Sequence, residues 1–468
     1  MAIRYTTESL QYQEFRIAIR SKDKGLYLAR VEASPVGDSS DFTFRLPMAQ
    51  GEIDEALATI SNAGQRPLKR SIGYGSYDSI SSIGSALQTA LFEGTPLGRQ
   101  FRAALEMTDR RREALRLRFL LQDPDVVNVP WEFLFDTYQS NYLALSTRTP
   151  IVRQGQAQLL TLSPLTPPLR ILLVTADIAN LLAAPEVELL QELASATGMV
   201  ELQVVKDATS AALRDALRAT SYHALYLIGA AAWKYRQGNR WDSARPTELR
   251  NVQNGLLLLG AKQSGKDPVA DATFLSAAEL QKLLAPQKEL RLLILSGADT
   301  DLLAAEMAQS LSAVLGMRGL LAAATRLPLM QNFCNALLAG QPLEAALTQG
   351  RQLIDSQNPG VGEWGLPLLY ENTQDGLFFT PAPAQQEASV KSATRSAAPA
   401  TQPNPANQQE WQRLNSLIDI EERNLASLYA QRDALGDLLP KFTQQQIAES
   451  EKWLAQLQAD LETIQKKG

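Results

Sequence analysis

The stretch YLIGAAAWKY, Tyr226 to Tyr235, closes an apolar run, HALYLIG, at a glycine. In an open α/β sheet the carboxyl end of a central strand is where ligands and reacting groups collect. Here Gly229 is followed by Ala230, Ala231, Ala232 and Trp233, which carry nothing that titrates. A second run, LRLLILSGAD, ends in the same manner at Ser296, Gly297, Ala298 and Asp299. Ser296, Asp299 and Asp301 are polar candidates for an enzyme of another kind, but a weak nucleophile needs an adjacent base, and no histidine accompanies them.

The chain holds one cysteine, Cys334, and one histidine, His223. These counts exclude intrachain disulfides, cysteine-rich metal sites and histidine-rich zinc sites; no metal and no cofactor is expected. Cys334 lies in LMQNFCNALLAG, whose spacing is helical, and is expected as a small buried hydrophobe. His223 opens the first run, seven residues before Ala230, roughly 20 Å away at the rise of a strand. GAKQSGKD, residues 260–267, nearly matches a phosphate-binding loop, but Asp267 replaces the hydroxyl that would hold magnesium and Pro268 spoils the helix that must follow. A turn is expected there.

Composition narrows the classes further. The 468 residues are 45% hydrophobic and 20% charged, with a formal net charge of −5. That is an ordinary globular balance and argues against nucleic acid as a partner of the whole chain. No stretch reaches the roughly 18 apolar residues of a membrane span, and the first twenty residues lack the layout of a signal peptide. The expectation is a soluble, cytoplasmic protein with no membrane contact.

The elements that would position the two run ends follow from pattern. EFRIAIRS, LYLARVEAS and DFTFRL read as strands of a β-rich N-terminal region, residues 1–114, which also contains helices. From residue 115 to 380, apolar strands such as RILLVTAD, HALYLIG and LRLLILSGAD alternate with helices such as EVELLQELASA and ATSAALRDALRA, and GLLAAAT reads as a further strand. That alternation means a mostly parallel sheet with helices on both faces. Residues 381–407 are rich in Pro, Ala, Ser, Thr and Gln and form a flexible linker. In 408–468, apolar residues at three-four spacing, among them Leu425, Leu428, Leu454, Leu457 and Leu461, make an α-helical hairpin broken at GDLLP. A hairpin this short buries little alone. It is expected to bind a protein partner or to form a homo-oligomer.

VPWEFLFD and the following YLALSTRTPIVR, from Val129 to Arg153, resemble the opening segment of a CHAT domain, the caspase-like domain of bacterial TPR-associated proteins. That family reads L-P-W-E-L-L-Y-D, F-L-A-L and P-x-V-R; Pro130, Trp131, Glu132, Asp136, Leu143, Ala144, Leu145, Pro150 and Arg153 stand at matching positions. The likeness continues through LRILLVTAD, HALYLIG, LRLLILSGAD and EWGLPLLY, over roughly Leu115 to Phe379. It implies a caspase-like α/β fold. In VPWEF the indole of Trp131 is too large to leave exposed beside Phe133 and Leu134, and Glu132 is expected to pair with a nearby arginine.

The resemblance also implies a Cys-His dyad, the histidine after the glycine that ends one central strand and the cysteine at the end of the next. Those positions are Ala230 and Ala298. The implied function is therefore that of a catalytically inactive CHAT-like protein, a pseudoprotease acting as a scaffold or regulator in a bacterial signalling or defence assembly. The alternative is a cysteine endopeptidase whose dyad has been mutated to alanine. The family's glycine after the histidine is Ala231 here, and its Asn-Ala before the cysteine is Ser296-Gly297, drift that favours natural loss. Gly229, Trp233, Ser296, Gly297 and Asp299 would shape the remaining crevice, with Tyr235 and Trp241 as further apolar contacts.

Overall fold

The computed structural model describes residues 11–37, 41–63, 75–156, 158–176, 183–235, 241–242, 246, 252–258 and 272–380, and beyond these only Leu454, Gln458 and Leu461. The chain divides into two compact units, Met1–Ala384 and Gln385–Gly468. The turn expected at 260–267, the linker and most of the hairpin lie outside the described residues. Of the second unit, Leu454 and Leu461 are helical and half-buried, and Gln458 between them is helical and exposed.

In the first unit, strands β1 (Tyr12–Asp23), β2 (Leu26–Ala33) and β3 (Phe42–Phe44) precede helices α1 (Gln50–Ala63), α2 (Gly75–Phe92) and α3 (Pro96–Arg111). Then come β4 (Ala114–Leu121), the short α4 (Pro124–Val127), a small hairpin of β5 (Phe135–Asp136) and β6 (Asn141–Tyr142), and β7 (Ile151–Gln154). The alternating part follows as β8 (Leu169–Ala176), α5 (Ala183–Thr197), β9 (Val200–Val205), α6 (Ser210–Ala219) and β10 (Ala224–Gly229). Four short strands, β11 (Ala231–Tyr235), β12 (Trp241–Asp242), β13 (Val252–Leu258) and β14 (Thr273–Ser276), form a sheet of their own. The unit closes with α7 (Ala277–Leu284), β15 (Leu292–Ser296), α8 (Asp301–Met307), β16 (Ala313–Met317), α9 (Ala323–Leu338), α10 (Leu343–Gln357) and β17 (Pro367–Glu371).

The main sheet runs β3-β2-β1-β4-β7-β17-β16-β15-β10-β8-β9. Its pairings are parallel except β1/β2, β2/β3 and β16/β17. The mostly parallel sheet with helices on both faces is thus present. The strand-rich N-terminal region is no separate layer, since β1 pairs parallel with β4 from Tyr12↔Ala114 to Ile19↔Leu121 and so extends the same sheet.

Alternate residues of the central strands feed two cores, as parallel strands buried on both faces must. Leu225, Leu293 and Val314 pack with Leu213, Leu280, Leu303 and Met307 of α6, α7 and α8. Tyr226, Ile294 and Leu315 pack with Val187, Phe333 and Ile354 of α5, α9 and α10. One strand differs from the sequence expectation. GLLAAAT is not a strand; the strand is Ala313–Met317, and the alanines open α9. Gly319 takes a φ of +75°, which ends the extended run, and alanine is the strongest helix former.

Candidate functional site

The strand ends expected to carry chemistry are level with each other. β10 lies between β8 and β15, with Ile228 paired to Ser296 and Gly229 to Ala176. Their carboxyl ends are close: a Cβ on Gly297 would sit 2.0 Å from the carbonyl oxygen of Gly229. Ala230 is 9% exposed, and its carbonyl accepts the N–H of Leu257 at 3.0 Å. From Ala231, which pairs with Leu256, the chain passes into the small sheet.

After β15 the backbone turns through Asp299 in the left-handed region, φ 55°. The Asp299 carboxylate accepts the N–H of Gly319 at 3.0 Å, and the Thr300 hydroxyl accepts the N–H of Met317 at 2.9 Å while lying 3.0 Å from the Leu295 carbonyl. These bonds fix the turn that holds Ala298. Asp301 is buried, 4.0 Å from the Arg318 guanidinium.

Beneath the crevice lies a polar cluster. Glu186, in the first turn of α5, accepts the hydroxyl of Ser296 at 2.7 Å and that of Tyr226 at 2.6 Å, and it pairs with the Arg326 guanidinium of α9. All four side chains are buried. Burial, followed by the Glu186 charge, raises the Tyr226 phenol well above its ordinary pKa. Ser296 therefore points into an occupied network rather than out to a substrate. Sequence reading missed Glu186 and Arg326, which are 140 positions apart; a charged residue in the first turn of one helix and another beside the apolar LPLM of a second gave no signal of pairing.

Neither the one cysteine nor the one histidine of the sequence stands at the two strand-end positions. Cys334 sits in α9, buried, and burial together with Glu186 pushes its thiol up to about 12. A protonated buried thiol is inert. His223 stands at the amino end of β10, where its N–H donates to the Arg170 carbonyl and its own carbonyl accepts from Arg291. Its ring nitrogen Nδ1 accepts the backbone N–H of Arg170 at 3.1 Å. Burial, then the Arg170 charge, lowers its pKa.

Pro130, Trp131 and Glu132 form a short turn over the sheet. Trp131 is fully buried, its indole N–H donates to the Val126 carbonyl at 2.9 Å, and its ring stacks on Phe119 at 5.1 Å. Glu132 takes two hydrogen bonds from the guanidinium of Arg153, at 2.8 and 2.7 Å, and Arg153 also donates to the carbonyls of Val127 and Val129. Burial acts to lower the Arg153 pKa, but the charges of Glu132 and Tyr370 and the hydrogen bonds to them together outweigh it, and the net shift is upward. Of the aromatics past Gly229, Trp233 is 2% exposed and Tyr235 52% exposed. The Trp241 side chain lies outside the described residues. Among the described residues no group of His, Cys, Asp or Glu side chains could hold a metal ion, and no helix is long and apolar enough to cross a membrane.

The chain is similar to separase in two crystal structures of the separase–securin complex of Saccharomyces cerevisiae, both with a TM-score of 0.40, at 10% and 9% identity. The matches cover 76% and 77% of this chain and 30% of each separase chain. No curated protein matches it. The model of the CHAT domain matches residues 81–361, more than half of the sequence and both strand ends. The chain belongs to the CHAT domain family.

Proposed function

We propose that this protein is a catalytically inactive member of its family, a pseudoprotease that works by binding other proteins as a scaffold or regulator, in a bacterial signalling or defence assembly. One observation carries the proposal: alanine occupies both strand-end positions, Ala230 and Ala298, to which the family resemblance assigns the base and the nucleophile. Cleaving a peptide bond by cysteine chemistry at neutral pH needs a thiolate and a base within hydrogen-bond reach. His223 and Cys334, the one histidine and one cysteine of the sequence, are held in other parts of the fold.

The contact between Gly297 and Gly229 supports natural loss over a deliberate exchange of two residues. The resemblance leads one to expect alanine before the cysteine, and here the carbonyl of Gly229 fills the space that its Cβ would need. The crevice has changed around the missing pair as well as at it. Reading the genomic coding sequence at positions 230 and 298 tests this. Alanine codons at both are expected; histidine and cysteine codons would make the protein a cysteine endopeptidase with its dyad replaced. Digestion of a mixed peptide library, followed by mass spectrometry, tests the inactivity and should yield no new termini.

A further inference from the structure

The turn after β15 is held from outside the sheet. Asp299 has a φ of 55° there, a left-handed value that residues other than glycine adopt uncommonly and that persists only where the surroundings enforce it. Two bonds to one residue enforce it: the Asp299 carboxylate accepts the N–H of Gly319 at 3.0 Å, and the Asp299 N–H donates to the Gly319 carbonyl at 3.4 Å. Gly319 is left-handed too, at φ +75°, which glycine adopts freely. The residue after it is gripped by α1. The Ser61 hydroxyl accepts the N–H of Leu320 at 2.8 Å and donates to the Leu320 carbonyl at 3.2 Å, across 259 positions of sequence. A Cβ on Gly319 would stand 3.0 Å from that hydroxyl, so helix and loop are in close contact. On the other side of Gly319, the buried Arg318 guanidinium lies 3.9 Å from Asp54 of α1 and donates to the Asn128 side chain at 2.7 Å. Ser61 is therefore joined to the turn that carries Ala298 by an unbroken series of hydrogen-bonded groups. α1 precedes the CHAT domain itself, residues 81–361, so the grip comes from outside that domain.

We propose that α1 governs the shape of the strand-end turn. While Ser61 holds Leu320, Gly319 stays against Asp299, and residues 297–300 keep the left-handed form that sets Ala298 at the crevice. When α1 lifts, Gly319 withdraws, Asp299 relaxes to an ordinary backbone conformation and the turn opens. The turn is the two-state element that coupling between distant sites requires. A partner that displaces α1 changes the crevice without touching it. Because coupling in binding is reciprocal, a ligand seated in the crevice changes the hold on α1 by the same factor. The device works with an intact or a missing dyad, so it does not rest on the pseudoprotease reading.

Amide hydrogen exchange read by mass spectrometry on the full chain tests the link, in wild type, Ser61→Ala, Asp299→Ala and the double variant. Ser61→Ala is expected to speed exchange over Ala298–Thr300 ~10-fold while β16 keeps its wild-type rate. A merely local loss would speed Leu320 alone. Asp299→Ala is expected to speed exchange of Leu57–Ser61, in the last turns of α1, which it does not touch. In the double variant Ser61→Ala should add nothing at 298–300, since both changes break one link. An unchanged rate at 298–300 in Ser61→Ala, an equal acceleration of β16, an unmoved α1 in Asp299→Ala, or additive effects in the double variant would each overturn the proposal. Histidine and cysteine codons at 230 and 298 would remove the pseudoprotease reading and leave these rates unchanged, so the two fail separately.

Discussion

A Cβ added to Gly297 would lie 2.0 Å from the carbonyl oxygen of Gly229. The two strand ends that would hold a nucleophile and a base thus touch through backbone. Gly297→Ala must push them apart and should cost about 1–3 kcal/mol, as overpacking does. At Gly229 the nearest atom is the end of the Leu227 side chain, at 3.1 Å, and Gly229→Ala should cost less. Urea denaturation of both variants checks the order; equal stability would mean that the strand ends are not in contact.

Trp131 and the Glu132–Arg153 pair anchor the turn after α4 to the sheet. Trp131→Ala removes a fully buried indole and its hydrogen bond and should cost about 3–5 kcal/mol. Arg153→Met leaves the Glu132 carboxylate buried without its partner, which should cost about 3–5 kcal/mol. Because lysine cannot reproduce the two-pronged bond, Arg153→Lys should also destabilise. Thermal melts of the three variants would show an unchanged Tm only if the turn were dispensable.

The Cys334 thiol should behave as a core group. With its pKa pushed up to about 12 against an ordinary value of 9.0, it stays protonated in the fold while the unfolded chain ionises. Its contribution to stability is full below pH 9 and is lost as pH rises from 9 toward 12, by at most about 1.4 kcal/mol per pH unit. Comparing wild type with Cys334→Ala over that window isolates the effect. At pH 8 a thiol reagent should label native protein far more slowly than protein in urea; equal rates would place the thiol at the surface.

The segment after the linker should be separable from the α/β unit. Truncation near Ala400 is expected to leave the Tm of the first unit unchanged and to abolish self-association or partner recruitment. A thermal melt of both forms reads the Tm, light scattering after size exclusion reads self-association, and a pull-down from native lysate reads recruitment. Identical mass per protomer count and identical partners would contradict it, as would a lower Tm. Within the segment, the spacing of Leu425, Leu428, Leu454, Leu457 and Leu461 predicts an apolar seam, and Leu457→Asp should act like the truncation.

The alternating half of the sheet was legible because its central strands are short, nearly continuous apolar runs, such as HALYLIG and LRLLILSGAD. The union of β1 with β4 was not, since nothing local to EFRIAIRS names a partner a hundred residues later. Local pattern misplaced β16 for a related reason. AVLGM and GLLAAAT are equally apolar, and the choice between them is made by tertiary packing, where Gly316 brings the strand against Ala304 of α8. At the strand ends the sequence supplied the positions Ala230 and Ala298 through the family's motif. It supplied neither the Glu186–Arg326 pair beneath them nor the place of Trp233, because burial of a single side chain depends on elements far apart in the chain.

On the proposed reading the strand ends carry no cysteine nucleophile and no histidine base. A thiol-directed peptidyl chloromethyl ketone, incubated with the full chain and followed by intact-mass and peptide-mapping mass spectrometry, tests it most directly. No adduct is expected within residues 229–231 or 296–299, and a mass shift mapped to Cys334 would report only a reachable spare thiol. A covalent adduct on either strand end would contradict the account.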